Sequence, residues 1–244
     1  SLMAYAESLM RLKRADESEP IYKAAVEIDP ANAELRYSYA MSLVSRGKKA
    51  ESLPEIDAAI AAFAEPTAKM NAIALGARIA TELGDTARAD AYFGIAEKAF
   101  PDGPAGGLLR HMVYIEAGKK DAAAAVADSL IASYGLSSNA PAIVRTIVTS
   151  WYAADDAAAA RDCLRRNIAK SSDDLAVGTL DFYLAVLLVQ DSPSDEDKIV
   201  ALKALDEAEA HLKVAFGEEN EVFGVIAGMR DSLKGAVSGA PEGK

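Results

Sequence analysis

The side chains that could support covalent catalysis are few in this 244-residue chain: one cysteine, Cys163, and two histidines, His111 and His211. A cysteine nucleophile needs a base beside it, and the sequence spacing gives no reason to place either histidine next to Cys163. The cysteine stands instead in a helical stretch with Ala160 and Leu164, which favours a packed structural thiol. Two histidines also provide no clustered ligand set for zinc or iron.

The pairs Gly47-Lys48 and Gly118-Lys119 resemble part of a phosphate-binding loop. That loop requires another glycine five residues before the Gly-Lys pair and a Ser or Thr after the lysine, and neither copy has them. Both pairs fall where a turn between two helices is expected. The sequence therefore favours a structural turn at each of them.

An acidic run, residues 195–197, could offer oxygen ligands to a cation. It lacks the spaced ligands and the central glycine of a calcium loop. It follows Ser194, and acidic residues after an N-cap serine are typical of a helix start; residues 171–174 are interpreted in the same way. The sequence thus predicts no metal, no other cofactor and no assembled catalytic site.

The elements that carry these residues repeat at a spacing of 34 positions. Residues 17–25 are echoed by residues 51–59, in which Glu, Ser, Pro and an Ala-Ala pair all recur. Gly84 recurs as Gly118 at the same period. A fixed period of this size predicts a stack of similar supersecondary units.

Helix-period apolar spacing, interrupted by Gly and Pro, predicts an all-α chain of about six helical hairpins and a C-terminal capping helix. We expect one array over residues 1–235, with clear repeats in 1–135, degenerate repeats in 136–217 and the capping helix in 218–235; a flexible tail would follow in 236–244. The predicted helix pairs are 2–12 with 15–28, 33–46 with 49–63, 67–83 with 86–99, 104–117 with 120–133, 139–153 with 156–169, and 174–190 with 195–215, before a last helix at 219–235.

Residues within the repeats resemble the tetratricopeptide repeat family. Aromatic, alanine, glycine and proline positions of that family are matched by Tyr22, Ala25, Pro30, Tyr39, Ala40, Gly47, Gly84, Ala89, Phe93, Ala96 and Pro101. The resemblance is good across 1–101, fair around Gly118 and weak from 139, where residues 154–156 replace the turn glycine. Arg36 departs from the tryptophan that the family often has. The resemblance implies a right-handed α-α superhelix.

The resemblance also implies a concave groove, lined by the first helix of each repeat, that binds peptides. It places Tyr37, Met41, Arg78, Leu108, Met112 and Trp151 on or near that groove. For Leu108 and Trp151, a place in the core between repeats is an equal alternative. The family's carboxylate-clamping Lys and Asn positions correspond here to Met3, Glu7 and Ser38, so a carboxylate clamp is not expected.

The net charge of −11 and the pI of about 4.8 disfavour nucleic acid as a partner, because an acidic surface repels phosphates. The longest apolar stretch, 175–189, is shorter than the roughly 20 residues of a membrane span, so no membrane insertion is expected.

These observations favour a non-enzymatic scaffold that binds a protein or peptide partner. The alternatives are an interaction module of a larger enzyme or of a secretion or assembly component, and a binder of a small ligand. A cytoplasmic location is favoured, whereas a removed leader would place the protein in the periplasm or outside the cell; the oligomeric state is left open.

Overall fold

A computed structural model of the protein describes residues 1–101, 103–134, 140–190 and 193–238. Within these ranges all regular secondary structure is α-helical, which confirms the all-α class, and every predicted helix is present with its ends within three residues of the prediction. None of the described helices is long and apolar enough to cross a membrane. The helices are α1 Leu2–Arg11, α2 Ala15–Ile28, α3 Ala33–Ser45, α4 Lys49–Ala62, α5 Pro66–Glu82, α6 Thr86–Ala99, α7 Ala105–Glu116, α8 Lys120–Tyr134, α9 Ala140–Ala153, α10 Ala157–Lys170, α11 Asp174–Leu188, α12 Asp195–Phe216 and α13 Glu221–Ser238.

Two compact units make up the chain, residues 1–117 (unit 1) and 118–244 (unit 2). Their boundary falls between α7 and α8, the two helices predicted to form the fourth hairpin. The last helix runs to Ser238, so the first residues of the predicted tail are helical. The remainder of that tail, 239–244, lies outside the described residues, as do the first two residues, 191–192, of the connector 191–194 predicted between the two helices of the sixth hairpin.

Unit 1 contains three consecutive helical hairpins, α1–α2, α3–α4 and α5–α6, followed by α7, and the second helix of each hairpin packs against the first helix of the next. Small side chains such as Ala59 and Ala96 lie where helices approach closely, and larger ones such as Ile56 and Phe93 fill the core; all four are fully buried. This is the division between small and large positions that the repeat pattern predicts.

The turns within the hairpins share one backbone geometry. Gly47, Gly84 and Gly118 have φ values of 69° to 75°, in the left-handed region that favours glycine. Lys13, 34 residues before Gly47, has φ 58°, and Asp155 has φ 56°. The turn conformation is therefore retained even where the sequence lacks the glycine.

A carboxylate from the first hairpin joins it to the second. Glu19, 8% exposed, accepts hydrogen bonds from Arg46 and from Lys48, the latter at 2.9 Å, and pairs with Lys23 at 2.8 Å. Hydrogen bonds from Lys23, Lys48 and Arg46 lower the pKa of Glu19 to about 2. The side chain stays ionised at neutral pH and ties α2 to the α3–α4 turn.

Unit 2 is organised around α11, which packs against α9, α10 and α12. Gly178 of α11 allows a close approach to α12, because an added Cβ would lie 2.7 Å from Cγ of Leu212. The last helix, α13, packs on α12, where Ile226 is fully buried and Arg230 pairs with Asp206 and Glu209. These contacts make α13 part of unit 2; a capping role for it stays a prediction.

Candidate functional site

The first helices of unit 1, α1, α3, α5 and α7, carry five of the six predicted groove residues. On α3, Met41 is 45% exposed and Tyr37 is half-buried; on α7, Met112 is 42% exposed and Leu108 is half-buried. Arg78 of α5 is exposed. These five side chains are accessible to a partner.

Two of them, Tyr37 and Met41, line an open cleft of about 510 Å³ between α1 and α3. The size is within the range of ligand pockets, roughly 300–1,000 Å³. Besides these two, side chains from α1 and α2 form the walls and floor of this α1–α3 cleft, among them Glu7, Met10, Arg11 and Tyr22.

Tyr37 also packs against the end of its own hairpin. Its ring packs edge-on against Phe63, with centroids 6.1 Å apart. Burial raises the pKa of Tyr37, and the positive charge of Arg78 partly offsets this.

An ion pair extends the surface from α5 to α7. Arg78 Nε donates to Glu116 Oε2 at 2.6 Å, and both side chains are nearly half exposed. Exposed pairs of this kind contribute about 0–1 kcal/mol, so a ligand could displace it at small cost. Leu108, Met112 and Glu116 are spaced four residues apart on α7 and so share one side of that helix. We call the surface formed by the cleft, Arg78 and this side of α7 the first-helix face.

Trp151 is not part of an accessible surface. It lies on α9 in unit 2 and is 1% exposed, among the largest fully buried side chains. α8, α10 and α11 all pack against α9, and they remove the indole from solvent. The groove prediction for Trp151 is therefore corrected in favour of its core alternative.

The residues considered for catalysis are held in structural contacts. Cys163 is 1% exposed, its Sγ lies 3.7 Å from Asp128 Oδ1, and burial raises the pKa of its thiol to about 12, far from a reactive thiolate. His211 Nδ1 lies 2.6 Å from Asp174 Oδ1. In the described ranges no group of three or more His, Cys, Asp or Glu residues is arranged to hold a metal ion.

The short motifs have the structural roles that the sequence favours. Gly47 forms the turn after α3, and the ammonium of Lys48 is engaged by Glu19. Ser194 forms a capping box with Asp197 at the start of α12. Both motifs stabilise helix ends.

Sequence reasoning missed several cleft residues, namely Met10, Arg11 and Tyr22. Tyr22 is 2% exposed and stacks on Tyr39 with centroids 5.6 Å apart, so it was interpreted as core alone, yet it also lines the cleft. Glu7 was considered only as a position of the missing carboxylate clamp. Its position four residues before Arg11 on the same helix was the available signal, because residues at this spacing share a side.

Repeated helical hairpins, left-handed turns at the repeat period and an open face on the first helices are together diagnostic. The chain has a tetratricopeptide-like fold. No protein-family model and no curated protein sequence matches the chain.

Solved structures similar to it include a tetratricopeptide repeat protein from Parabacteroides merdae, with 16% identity, 96% of this chain and 97% of that chain covered and a TM-score of 0.44. YrrB, a tetratricopeptide protein with an unusual peptide-binding site, has 15% identity, 72% and 88% coverage and a TM-score of 0.41. The APC/C Cut9–Hcn1 structure matches at 14% identity and a TM-score of 0.42; the match covers 95% of this chain but only 42% of that one. These superpositions are partial, so the fold assignment rests on the hairpins and turns of the chain itself.

Proposed function

We propose that the protein is a non-enzymatic interaction scaffold that binds a peptide or helix of a protein partner on the first-helix face of unit 1. The observation that carries the proposal is the exposure of flexible apolar side chains on the first helices, Met41 in the open α1–α3 cleft and Met112 on α7. Methionine adapts its shape to varied partners, and it is enriched in binding surfaces.

The same face offers polar contacts at low cost. Arg78 and Glu116 are held to each other only by an exposed ion pair, and the α3 serines Ser38, Ser42 and Ser45 line the cleft. An extended peptide could exchange these weak contacts for its own backbone and side-chain hydrogen bonds. This combination of apolar anchors and replaceable polar groups is typical of peptide recognition.

The test uses alanine substitutions at Tyr37, Met41 and Met112, with Leu83→Ala as the matched control. Leu83 is 46% exposed, close to the 45% of Met41, but it caps the end of α5 at the turn. With a partner purified from the native organism, titration calorimetry should show binding weakened by about 1–2 kcal/mol for each anchor that is a hot spot. The Leu83 variant should bind normally.

Circular dichroism of the variants separates binding from folding. If all three variants are folded and a triple variant binds its partner with unchanged affinity, the partner uses another surface and the site assignment is wrong. If a single variant instead unfolds, that residue belongs to the core.

A further inference from the structure

One carboxylate in the α1–α3 cleft has no ion-pair or hydrogen-bond partner in the part of the chain that the structure describes. Unit 1 holds three acidic side chains, among its described residues, that are at least partly buried: Glu7, Glu19 and Glu55. Glu19 pairs with three cations, and Glu55 pairs with Arg36 at 2.7 Å. Glu7 forms neither an ion pair nor a hydrogen bond with the described residues.

The surroundings of Glu7 suit a cation. Tyr22 and Glu7 line the same cleft, and the pKa of the Tyr22 phenol is raised by burial and, secondarily, by the negative charge of Glu7. Tyr37 stands in the same cleft. The half-buried ring of Tyr37 can attract an ammonium or guanidinium group through its π face, and Met10 and Met41 offer apolar contact to an aliphatic stem.

The only cation lining the cleft among the described residues is Arg11. It stands four residues after Glu7, yet its guanidinium donates to Ser8 Oγ at 3.4 Å and makes no ion pair with Glu7. Half-buried charges are costly to leave unpaired, so a cation delivered by a ligand would gain more at Glu7 than at an exposed carboxylate.

We propose that the α1–α3 cleft receives a basic side chain, a lysine or an arginine, of the partner peptide, with Glu7 as its ion-pair partner. This inference rests on the proposed function and specifies the chemistry of its ligand. It reverses the polarity of a carboxylate clamp: the protein supplies the acid, and the peptide supplies the cation. The net charge of −11 favours the encounter with such a peptide.

The experiment selects binders from a displayed library of random peptides against the chain of residues 1–244. The selected peptides should share a lysine or arginine at one position, and replacing that residue by norleucine should weaken binding at least about tenfold, the fold-change of roughly 1.4 kcal/mol. Glu7→Gln should weaken the same peptides to a similar extent. Arg11→Gln should tighten binding a few-fold, because it removes a positive charge that lines the cleft and repels the incoming basic side chain.

Glu27→Gln is the matched control, since it removes one negative charge from the exposed outside of α2. It should leave affinity unchanged, which separates a local ion pair from the general effect of net charge. The peptide in which norleucine replaces the basic residue should bind Glu7→Gln and the parent equally. This is expected if the basic residue interacts directly with Glu7, because the interaction is already lost in the peptide.

Three outcomes contradict the proposal in different ways. In the first outcome, Tyr37→Ala weakens the selected peptides, but these peptides carry no basic residue or bind Glu7→Gln as well as the parent. This result would contradict the basic anchor and leave the proposed groove function intact. In the second outcome, the selected peptides are acidic and Arg11→Gln weakens their binding. The cleft would then bind an acidic side chain through Arg11, which contradicts the proposal. Peptides indifferent to both Tyr37→Ala and Met41→Ala, or no binders at all, count against the groove function itself.

Discussion

Helices α3 and α9 carry residues predicted for the same kind of groove, but these residues differ in their exposure to solvent. Each is the first helix of a predicted hairpin, and each carries residues predicted to lie on or near a groove, Tyr37 and Met41 on α3 and Trp151 on α9. Met41 of α3 is 45% exposed beside an open cleft, whereas Trp151 of α9 is 1% exposed. The difference lies in what packs on them: α11 lies directly on α9, while the cleft beside α3 stays open. Residue type alone therefore does not decide between binding surface and core.

Acidic groups in the two units show the same contrast. Glu7 in unit 1 faces an open cleft, whereas Asp181 of α11 is 2% exposed and its Oδ2 atom has no hydrogen-bond partner among the described residues. Burial, with a smaller contribution from the negative charge of Glu207, raises the pKa of Asp181 to about 6. The first acid is available to a ligand, and the second weakens its own unit when it is ionised.

The largest expected effect is at α9. Trp151→Ala should destabilise unit 2 by about 3–5 kcal/mol, because it leaves a large cavity in the core, whereas Met41→Ala should cost less than about 0.5 kcal/mol, as surface substitutions usually do. Urea unfolding followed by far-UV circular dichroism measures both. Similar losses for the two variants would contradict the contrast between core and surface.

The next effect is the pH dependence of unit 2. The ordinary pKa of an aspartic acid is about 3.9 in the unfolded chain, and that of folded Asp181 is raised to about 6. As the pH rises, Asp181 therefore ionises first in the unfolded chain. The free energy of unfolding should fall by roughly 2–3 kcal/mol between about pH 4 and pH 6 and stay constant above that.

Asp181→Asn removes this titration and is the control. Fluorescence of Trp151, the only tryptophan of the chain, reports on the unfolding of unit 2. The free energy of unfolding of Asp181→Asn should exceed that of the parent by an amount that grows as the pH rises from about 4 to about 6. The charges of Glu207, His211 and Lys203 of α12 also act on Asp181. The quantity to measure is therefore the difference in unfolding free energy between the variant and the parent at each pH, and not the pH dependence of the parent alone. A difference that does not change with pH would disprove a raised pKa.

The smallest effects are expected at the turns. Lys13 and Asp155 adopt the left-handed conformation that Gly47 adopts at no steric cost. Lys13→Gly should stabilise unit 1 by up to about 1 kcal/mol, and Asp155→Gly should gain less, since aspartate tolerates this region better than lysine. Gly47→Ala should destabilise by about 1 kcal/mol. Melting temperatures check all three, and a loss of stability with Lys13→Gly would show that its side chain contributes more than its backbone costs.

The sequence was sufficient for the helices and most of their ends. These features depend on local information, namely apolar spacing, Pro and Gly positions and a 34-residue period, and a helical hairpin forms between neighbouring segments. Even the turn at Lys13 repeats the geometry of Gly47, because the Arg14 N–H donates to Leu9 O just as the Lys48 N–H donates to Leu43 O, each at 2.9 Å.

Exposure on the first helices was decided only by the tertiary structure. Met41 and Trp151 both matched groove positions, but burial depends on which non-neighbouring helix covers a side chain, and no local pattern contains that information. The same holds for Glu7: the sequence shows an acid four residues before Arg11, and only the folded chain brings Tyr37 and Met41 of α3 to the same cleft. There Glu7 has no ion-pair partner among the described residues.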